Sequence, residues 1–345
     1  MDRRIVVLTE GVSDPLTAKT AINVIRYRPE QVVAVFDSAH RGRSSQALLG
    51  VGGDLPVIGS LGDAPGANTL LIGIAPPGGR LPQAMRQVVL DAIGLGWTIE
   101  SGLHDFLSSD AELVAAAQRT GAVLRDVRKN NERDVANRQG IDERCLRIHT
   151  VGNDCSIGKM VVAVELARAL ARAGHDTKFV ATGQTGIMIE GDGCPVDCVV
   201  SDFVSGSAEK LVLANQHHAI MVIEGQAALT HPRYSAVTLG LLHGTLPDGL
   251  ILCYEVGRTH HYHMDEIPLT PLSELIRVNE LMANLMHPCR VIGLAMNSRK
   301  VTPAEADRER ERIRAELGLP VCDVLRHGSQ ELVDAVLKLK KQLRK

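Results

Sequence analysis

The chain has 345 residues, of which 45% are hydrophobic and 23% are charged, a composition typical of a soluble globular protein with room for two domains. The formal net charge of −2 excludes a general electrostatic attraction to nucleic acid or to a membrane surface. No apolar run approaches membrane-spanning length, and the N-terminal run Ile5–Leu8 is too short to be the core of a signal peptide. Seven scattered cysteines, an odd number, suit reduced thiols, so we expect a cytoplasmic protein.

The first part of the chain, up to about residue 130, alternates short apolar runs with helical patterns. The alternation predicts strands at 5–8, 32–36, 69–75, 98–99 and 122–127, and helices that begin at Pro15 and span 82–95 and 111–119. Such repeats form a parallel sheet, and its ligands lie beyond the carboxyl ends of the strands, here at 37–38 and 76–79. Because no G-x-G-x-x-G sequence follows the first strand, we expect a Rossmann-like scaffold domain rather than a dinucleotide-binding one.

The most polar interior stretch, 129–140, predicts a linker between domains at 1–135 and 143–345. Beyond it, apolar runs predict strands at 145–151, 178–181, 196–200, 220–223, 249–253, 290–296 and 321–324. Helical patterns predict helices at 160–173, 208–215, 272–286, 303–317 and 329–343. The second domain is therefore also predicted to be α/β, with a parallel sheet.

A glycine-rich turn joins the predicted strand 145–151 to the helix that follows it, and it reads V-G-N-D-C-S-I-G-K-M from Val151 to Met160. Backbone N–H groups of such a turn surround a phosphate, the helix N-terminus adds partial positive charge, and Lys159 adds a full one. A nucleotide-hydrolysing P-loop has a Ser or Thr after this lysine to bind Mg²⁺, whereas this chain has Met160. The turn therefore predicts a P-loop NTPase-like α/β domain that binds phosphate without hydrolysing it, preceded by the Rossmann-like parallel-sheet domain.

Polar side chains follow three apolar runs of the second domain, at the points where the predicted strands end. They are Gln184, Asp202, Glu224 and Gln226. A carboxylate at the end of a parallel strand lies at the rim of the sheet, near the P-loop, where it can contact a metal, a water or a substrate amine. Structural roles are the alternative, because either acid can make a structural hydrogen bond and Asp202 can cap the following helix.

Two loops of the second domain carry further candidates. His231 and Arg233 follow the Glu224 strand and offer a general base and a substrate contact, although a single loop histidine is more often structural. Arg258 follows the strand 249–253 and can bind a carboxylate or a phosphate through two parallel hydrogen bonds.

Two groups of metal-ligand side chains are weak candidates for a metal site. The histidines at 260, 261 and 263 are crowded in one loop and lack the i, i+4 spacing of a helical site. Cys194 and Cys198 lie close together, but no second cysteine pair completes a zinc site. We therefore predict no metal site.

Five sequence blocks occur in the order of one known family. They are G-N-D-C-S-I-G-K-M, A-T-G-Q-T-G-I-M-I, D-F-V-S-G-S-A-E, I-E-G-Q-A-A-L-T-H-P and A-M-N-S-R-K-V-T-P-A-E-A. They resemble the two-domain bacterial and archaeal P-loop family long carried as a domain of unknown function, in which D-glutamate N-acetyltransferases have been recognised. The resemblance covers nearly the whole chain and is strongest from Val151 to Thr302. The loop is also similar to that of dethiobiotin synthetase-like proteins, in which an Asn at the position of Asn297 meets adenine.

The resemblance implies an enzyme that moves the acetyl group of acetyl-CoA to the amino group of D-glutamate without a metal, and we expect a homo-oligomer. Coenzyme A carries an adenine, a pyrophosphate and a 3′-phosphate, all of which a P-loop domain can hold without a Mg²⁺-binding hydroxyl. We assign its binding to Gly152, Asn153, Asp154, Cys155, Ser156, Ile157, Gly158, Lys159, Met160 and Asn297. We assign glutamate binding to Gln184, Gln226, Arg233 and Arg258.

The expected reaction is direct attack of the amine on the thioester, with Glu224 or Asp202 as the leading general base and His231 third. Cys155 can in principle form an acetyl-enzyme, but a thiol wrapped by phosphate-binding amides is better explained as a small side chain. One alternative is an ATP-dependent kinase or amide ligase of the dethiobiotin-synthetase type, with Mg²⁺ held by Glu224 and assisted by Asp154 or Asp202. Another is a nucleotide-sensing protein that catalyses nothing, which the number of polar strand ends disfavours.

Overall fold

The computed structural model describes residues 2–345, which fold into two compact units. The first unit comprises the residues up to 129 together with 187–191, and the second comprises 130–186 and 192–345. The polar segment predicted as the linker lies mostly at the start of the second unit. Each unit contains a six-stranded sheet whose paired strands all run parallel.

The first unit has the strand order of a Rossmann fold. Its strands are β1 (Ile5–Leu8), β2 (Val32–Phe36), β3 (Val57–Ile58), β4 (Thr69–Ile72), β5 (Thr98–Ser101) and β6 (Val123–Asp126). Its helices are α1 (Lys19–Tyr27), α2 (Ser45–Leu49), α3 (Gln83–Gly94) and α4 (Ala111–Thr120). The order β3-β2-β1-β4-β5-β6 reverses direction at β1, as in doubly wound sheets. Strands β1 and β4 are wholly buried, which explains why they read as continuous apolar runs.

Two details of the first unit differ from the sequence prediction. Helix α1 begins at Lys19 rather than at Pro15, because Asp14 accepts hydrogen bonds from the backbone N–H groups of Leu16 and Thr17 and caps a separate turn. The short elements β3 and α2 were not predicted, because elements of two and five residues are too short to show a hydrophobic period.

The second unit is also a parallel α/β structure. Its strands are β7 (Leu146–Gly152), β8 (Thr177–Val180), β9 (Ile220–Ile223), β10 (Gly249–Glu255), β11 (His260–His261), β12 (Met264–Pro268), β13 (Arg290–Asn297) and β14 (Val321–Cys322). The helices that follow in the chain are α5 (Lys159–Arg172), α6 (Gln184–Glu190), α7 (Val204–Asn215), α8 (Ser235–Thr245), α9 (Leu272–Asn284), α10 (Pro303–Leu317) and α11 (Gln330–Leu343). Helix α6 begins in the second unit, and its residues from 187 onward belong to the first. Among residues 2–345, no helix is both long and apolar enough to cross a membrane.

Strand β7 occupies the position that matters for ligand binding. The main sheet has the order β14-β13-β10-β7-β9-β8, so its direction of winding reverses around β7. A small antiparallel hairpin, β11–β12, follows β10. The backbone after β9 passes directly against β7. A Cβ at Gly225 would lie only 1.6 Å from the carbonyl oxygen of Thr150, so this close approach requires a glycine. Ligands of such sheets bind beyond the carboxyl ends of the strands at this reversal, which is where β7 enters the P-loop.

The polar segment 129–140 has no regular secondary structure, but it is anchored on α7. The buried carboxylate of Glu209 accepts hydrogen bonds from the backbone N–H groups of Asn137 and Arg138, both at 3.0 Å. A Cβ at Gly206 would lie 1.9 Å from the carbonyl oxygen of Asp134, so this segment packs tightly on the helix. It is therefore a packed segment of the second unit.

The predicted strand at 196–200 was wrong. Its first residues form a 3₁₀ helix, Val196–Cys198, and Val196 and Val199 pack in a small apolar cluster with residues of α7 and α8. An apolar run this short does not distinguish a strand from a packed turn, and Pro195 before it has no N–H group for a sheet ladder. Helices α6 and α8 and the hairpin β11–β12 were not predicted.

Candidate active site

The P-loop connects β7 to α5 and has the tight backbone of a phosphate-binding turn. Gly158, immediately before α5, has a φ of 111°, a conformation that residues with a side chain rarely adopt. A Cβ at Gly152 would lie 2.5 Å from Cδ1 of Ile157, so the loop folds back closely over its own start. Both glycines are therefore required by the shape of the loop.

Lys159 supplies the positive charge of the loop and is 6% exposed. Its Nζ donates a hydrogen bond to the carbonyl oxygen of Asp154 at 2.6 Å. Burial lowers the pKa of the ammonium group, although Cys155, Cys253 and Asp154 favour its charged form. The following residue, Met160, has a thioether where a Mg²⁺-binding P-loop has a hydroxyl. The loop therefore offers backbone N–H groups and one ammonium group, without that metal ligand.

Asp154 is fully buried and joins the P-loop to the segment around the hairpin β11–β12. Its Oδ2 accepts hydrogen bonds from Nη1 of Arg258 at 2.7 Å and from the backbone N–H of Tyr262 at 2.8 Å. Its Oδ1 lies 3.2 Å from Nδ1 of His261 and 3.5 Å from Nε2 of His231. Burial acts to raise the pKa of Asp154, but the Arg258 and Tyr262 bonds outweigh it and hold the pKa below its ordinary value. Asp154 is thus an ionised anchor between segments distant in sequence.

Asp154, His231 and His261 also place three possible metal-ligand atoms within 4.8 Å of one another. The protonation of His231 fits a hydrogen-bonded cluster better than a metal site. Its Nδ1 accepts a hydrogen bond from the backbone N–H of Arg233 at 3.1 Å, so the neutral ring carries its proton on Nε2, which faces Asp154. To bind a metal through Nε2, the neutral His231 ring would need its proton on Nδ1 instead. In addition, Arg258 already neutralises the Asp154 carboxylate.

Glu224 follows β9 directly and is 4% exposed. Its Oε2 accepts hydrogen bonds from the backbone N–H groups of Thr182 at 3.0 Å and Gly183 at 3.1 Å, in the turn after β8. A Cβ at Gly186 would lie 2.3 Å from this oxygen, so a glycine in α6 makes room for the carboxylate. Burial raises the pKa of Glu224 to about 7, against the opposing effect of the two N–H donors. Glu224 is therefore a fixed carboxyl group that can exchange a proton near neutral pH.

Asp202 does not stand at a strand end, contrary to the sequence prediction. It lies exposed in a short 3₁₀ helix, Ser201–Phe203, because the preceding run forms turns instead of a strand. The predicted helix-cap role was also wrong, since neither this turn nor α7 has a side-chain cap. No strand carries the Asp202 carboxylate to the rim of the sheet.

Three of the predicted glutamate contacts lie in loops or at a helix start. Gln184 is buried at the start of α6, and Nε2 of Gln226 donates to Oγ1 of Thr182 at 3.2 Å. Both therefore belong to the segments that surround Glu224. Arg233 is exposed in the loop before α8, and its backbone N–H orients His231.

The predicted ligand residues Asn297 and Arg258 both support the P-loop backbone. Nδ2 of Asn297 donates to the carbonyl oxygen of Ile157 at 3.0 Å, and its Oδ1 accepts from the backbone N–H of Arg299 at 3.3 Å. Nη1 of Arg258 donates to the carbonyl oxygen of Cys155 at 2.9 Å. These bonds attach the ends of β10 and β13 to the loop.

One residue that sequence reasoning missed is Glu255, the last residue of β10 and 2% exposed. Its carboxylate accepts a hydrogen bond from Nε of Arg258 at 3.0 Å. It also accepts from Nη2 of Arg299 at 2.7 Å and from Nζ of Lys300 at 2.8 Å. The predicted strand 249–253 stopped short of this residue. The missed signal was an apolar strand ending in a carboxylate, the same pattern that identified the end of β9.

Two family models match the chain. Residues 38–130 match a Rossmann-like domain described as a domain of unknown function, DUF1611_N. Residues 133–333 match a P-loop domain with the corresponding description, DUF1611_C. The matches confirm the predicted fold class and the order of its two parts.

Proteins similar to this chain include two with an assigned name. A D-glutamate N-acetyltransferase from Tritonibacter scottomollicae is 37% identical over 328 residues, which cover 94% of this chain and 95% of that protein. A D-glutamate N-acetyltransferase from a Pseudoalteromonas species is 37% identical over 269 residues, which cover 78% of this chain and 81% of that protein. The crystal structure of a DUF1611 family protein from Anabaena variabilis has a TM-score of 0.92 and 35% identity, covering 97% of this chain and 99% of that one.

Proposed function

This chain belongs to the DUF1611 family, and we propose that it transfers the acetyl group of acetyl-CoA to the amino group of D-glutamate. The main support is the combination of two neighbouring features. A P-loop with the sequence Gly158-Lys159-Met160 follows β7, and the buried Glu224, whose pKa is raised to about 7, follows the adjacent strand β9. The two relatives named D-glutamate N-acetyltransferase supply the reaction class and the acceptor.

The P-loop suits the diphosphate of acetyl-CoA. Its backbone N–H groups, the N-terminus of α5 and the ammonium group of Lys159 all favour a phosphate ester. Met160 removes the hydroxyl that holds Mg²⁺ for phosphoryl transfer, a step that acetyl transfer does not include. The loop therefore favours a nucleotide that is held by its phosphates and reacts at its far end.

Glu224 is the proposed general base. The ammonium group of glutamate must lose a proton before its nitrogen can attack the thioester carbonyl, and a carboxylate with a pKa of about 7 can accept it. Attack forms the new C–N bond, and the nitrogen, now positively charged, loses its second proton to solvent. The C–S bond breaks, and the proton on Glu224 returns to the departing CoA sulfur. The Thr182 and Gly183 amides hold Oε2, and the Gln226 side chain also hydrogen-bonds the carboxylate, so the group is fixed in place for this exchange.

His231 is a weaker candidate for the same role. Its Nδ1 lone pair already accepts the Arg233 N–H, and its Nε2 carries the ring proton toward Asp154. Burial also lowers the pKa of His231, although Asp154 opposes this effect. The ring therefore has no free lone pair with which to accept a proton. We assign contact with the acceptor to Gln184 and Gln226, which lie in the segments that surround Glu224.

The direct test is an acetyl-transfer assay with the purified chain. Thiol release and the mass of the product are measured with acetyl-CoA and D-glutamate, with L-glutamate as the comparison acceptor. We expect N-acetylglutamate from D-glutamate and a rise in melting temperature with acetyl-CoA or CoA, because a ligand that binds only the native state stabilises it.

Two outcomes would contradict the proposal. Absence of product with both glutamate enantiomers would reject the acceptor. A thermal shift with ATP–Mg²⁺ but none with CoA would reject the donor and favour the kinase or ligase alternative.

A further inference from the structure

A group of cations lies on the side of the P-loop opposite Glu224. The sheet order places β9, which ends at Glu224, on one side of β7, and β10 and β13 on the other. Beyond the ends of β10 and β13 lie three cations around one buried carboxylate: Arg258, Arg299 and Lys300 around Glu255. Burial acts to raise the pKa of Glu255, but these three cations outweigh it and hold the pKa below its ordinary value. Glu255 is therefore ionised and organises the cations.

The cations of this group exceed its carboxylates. Arg258 is shared between Glu255 and Asp154, so three cations face two carboxylates in the connected ion pairs. Arg258 is held between its two partners with its side chain 7% exposed. The side chains of Arg299 and Lys300 are 36% and 55% exposed, so their charged ends can bind a further anion without losing Glu255. The surplus charge therefore lies on these two residues.

A cavity of about 240 Å³ lies next to these cations, with Glu255, Arg258 and Lys300 in its lining. Arg258 also bonds to the P-loop carbonyl of Cys155, so the cavity wall is continuous with the P-loop. A ligand whose phosphates lie in the loop can extend into the cavity on the β13 side.

We propose that Arg299 and Lys300 bind the 3′-phosphate of acetyl-CoA, with Glu255 as a positioning residue that holds both cations; the inference rests on the proposed function. A phosphate monoester carries close to two negative charges at neutral pH, and Arg299 and Lys300 are the two exposed cations of this group that can contact it. The acetyl group then extends across β7 toward Glu224, so the adenosine and acetyl ends occupy opposite sides of the loop. The carboxylates of the acceptor belong on the Glu224 side, where the amine must lose its proton.

The test compares acetyl-CoA with 3′-dephospho-acetyl-CoA in the parent, in Arg299→Ala and Lys300→Ala, and in Lys210→Ala. Lys210 is the matched control, because its side chain is 58% exposed and is paired with Glu132 and Asp134, outside the ion pairs of Arg299 and Lys300. We expect the parent to prefer acetyl-CoA by about 10–150-fold in kcat/KM, the range of a lost charge-assisted hydrogen bond. Each of the two site variants should reduce that preference at least threefold, leaving kcat and the KM for D-glutamate unchanged, while Lys210→Ala keeps the parent preference.

A parent enzyme that acetylates D-glutamate equally well with both donors would overturn this inference and leave the proposed function intact. A preference that survives in both site variants, or a raised KM for D-glutamate in them, would also overturn it. If no acetyl transfer occurs, the proposed function fails, and the binding constants of CoA and 3′-dephospho-CoA then test the phosphate site. Equal binding constants would reject it.

Discussion

The amino edge of the P-loop sheet is the side where its parallel strands begin, and the carboxyl edge is the side where they end. Both edges contain buried ionic groups, but the charges of the two groups are balanced differently. At the amino edge, the fully buried Arg147 lies 2.9 Å from Glu143 and 3.7 Å from Asp248. Lys345 adds a second cation at 2.7 Å from Asp248, which His287 also contacts at 2.9 Å. Two cations therefore match two carboxylates in this cluster.

At the carboxyl edge the charges do not match. The connected ion pairs contain the cations Arg258, Arg299 and Lys300 and the carboxylates Asp154 and Glu255, and Lys159 adds a further cation in the adjacent P-loop. A matched cluster has its ionic partners within the chain and serves the fold. A surplus of cations beside a cavity and a phosphate-binding loop suits an anionic substrate, so charge balance separates the structural edge from the functional one.

The largest expected effect is on turnover at the carboxyl edge. Glu224→Gln keeps the shape of the side chain but removes the base, so kcat should fall by roughly 10²–10⁴ with acetyl-CoA affinity little changed. In the parent, kcat/KM should rise as the pH increases through about 7, because the ionised form of Glu224 is the active one. Single-turnover acetylation of D-glutamate measures both effects.

Asp202→Asn is the control for this prediction, because the exposed Asp202 neither ends a strand nor caps a helix. It should change both stability and turnover little. A nearly inactive Asp202→Asn that melts normally, together with an active Glu224→Gln, would reverse the two roles.

At the amino edge the expected effect is on stability. Arg147→Ala removes a fully buried side chain and its hydrogen bond to the carbonyl oxygen of Leu246, while Asp248 keeps Lys345 and His287. The free energy of unfolding should therefore fall by about 2–5 kcal/mol, the range for emptying a packed site. Arg144→Ala is the matched control, since the Arg144 side chain is 90% exposed and solvent screens its ion pair with Asp142, so its stability should match that of the parent. Urea unfolding measures both, and the KM of the folded Arg147→Ala enzyme for acetyl-CoA should match that of the parent. A large change in that KM would contradict a purely structural role for this edge.

Lys159→Ala should weaken acetyl-CoA binding by about 1.5–3 kcal/mol, the contribution of a hydrogen bond to a charged group. The fold should remain intact, because the buried ammonium group contacts only a loop carbonyl and its pKa is already lowered by burial. Titration calorimetry with acetyl-CoA measures the change, and Lys210→Ala serves as a surface-lysine control. Unchanged affinity in Lys159→Ala would show that the phosphates lie elsewhere.

Glu224 should also make stability depend on pH. Its folded-state pKa of about 7 lies above the ordinary 4.5, so the folded protein binds this proton more tightly than the unfolded chain. The stabilisation is complete below pH 4.5 and is lost as the pH rises through 7. The melting temperature of Glu224→Gln relative to the parent should therefore be higher at pH 8 than at pH 5, and an equal difference at both values would contradict the raised pKa.

The smallest expected effect is that of metal removal. Met160 cannot bind Mg²⁺, and Nδ1 of His231 accepts a backbone hydrogen bond, which leaves the ring proton on the Nε2 that faces Asp154. EDTA should therefore change acetyl transfer less than twofold. A tenfold loss that added Mg²⁺ restores would favour an ATP-dependent reaction. A loss restored only by a transition metal would instead assign the Asp154–His231–His261 cluster to a metal.

The sequence alone determined the parts of the site whose residues are contiguous. The P-loop is one such segment, because the strand, the glycine turn, Lys159 and the helix all lie between Leu146 and Arg172. Glu224 was also predictable, since an apolar run ending in a carboxylate is a local pattern and β9 ends where that run ends. The same pattern failed for Asp202, because a short apolar run before it packs as turns.

Only the tertiary structure decided which distant residues meet. The order of the strands places the ends of β10 and β13 side by side, so Glu255 gathers cations from two loops that are about 40 residues apart. Asp154 likewise contacts the side chains of three later residues, Arg258, His261 and His231, and these contacts attach the P-loop to two segments that follow it in the chain. Hydrophobic periodicity depends only on the few residues around each position, whereas strand order and burial depend on the packing of the whole sheet. For this reason, the charge balance at each edge could be determined only from the tertiary structure.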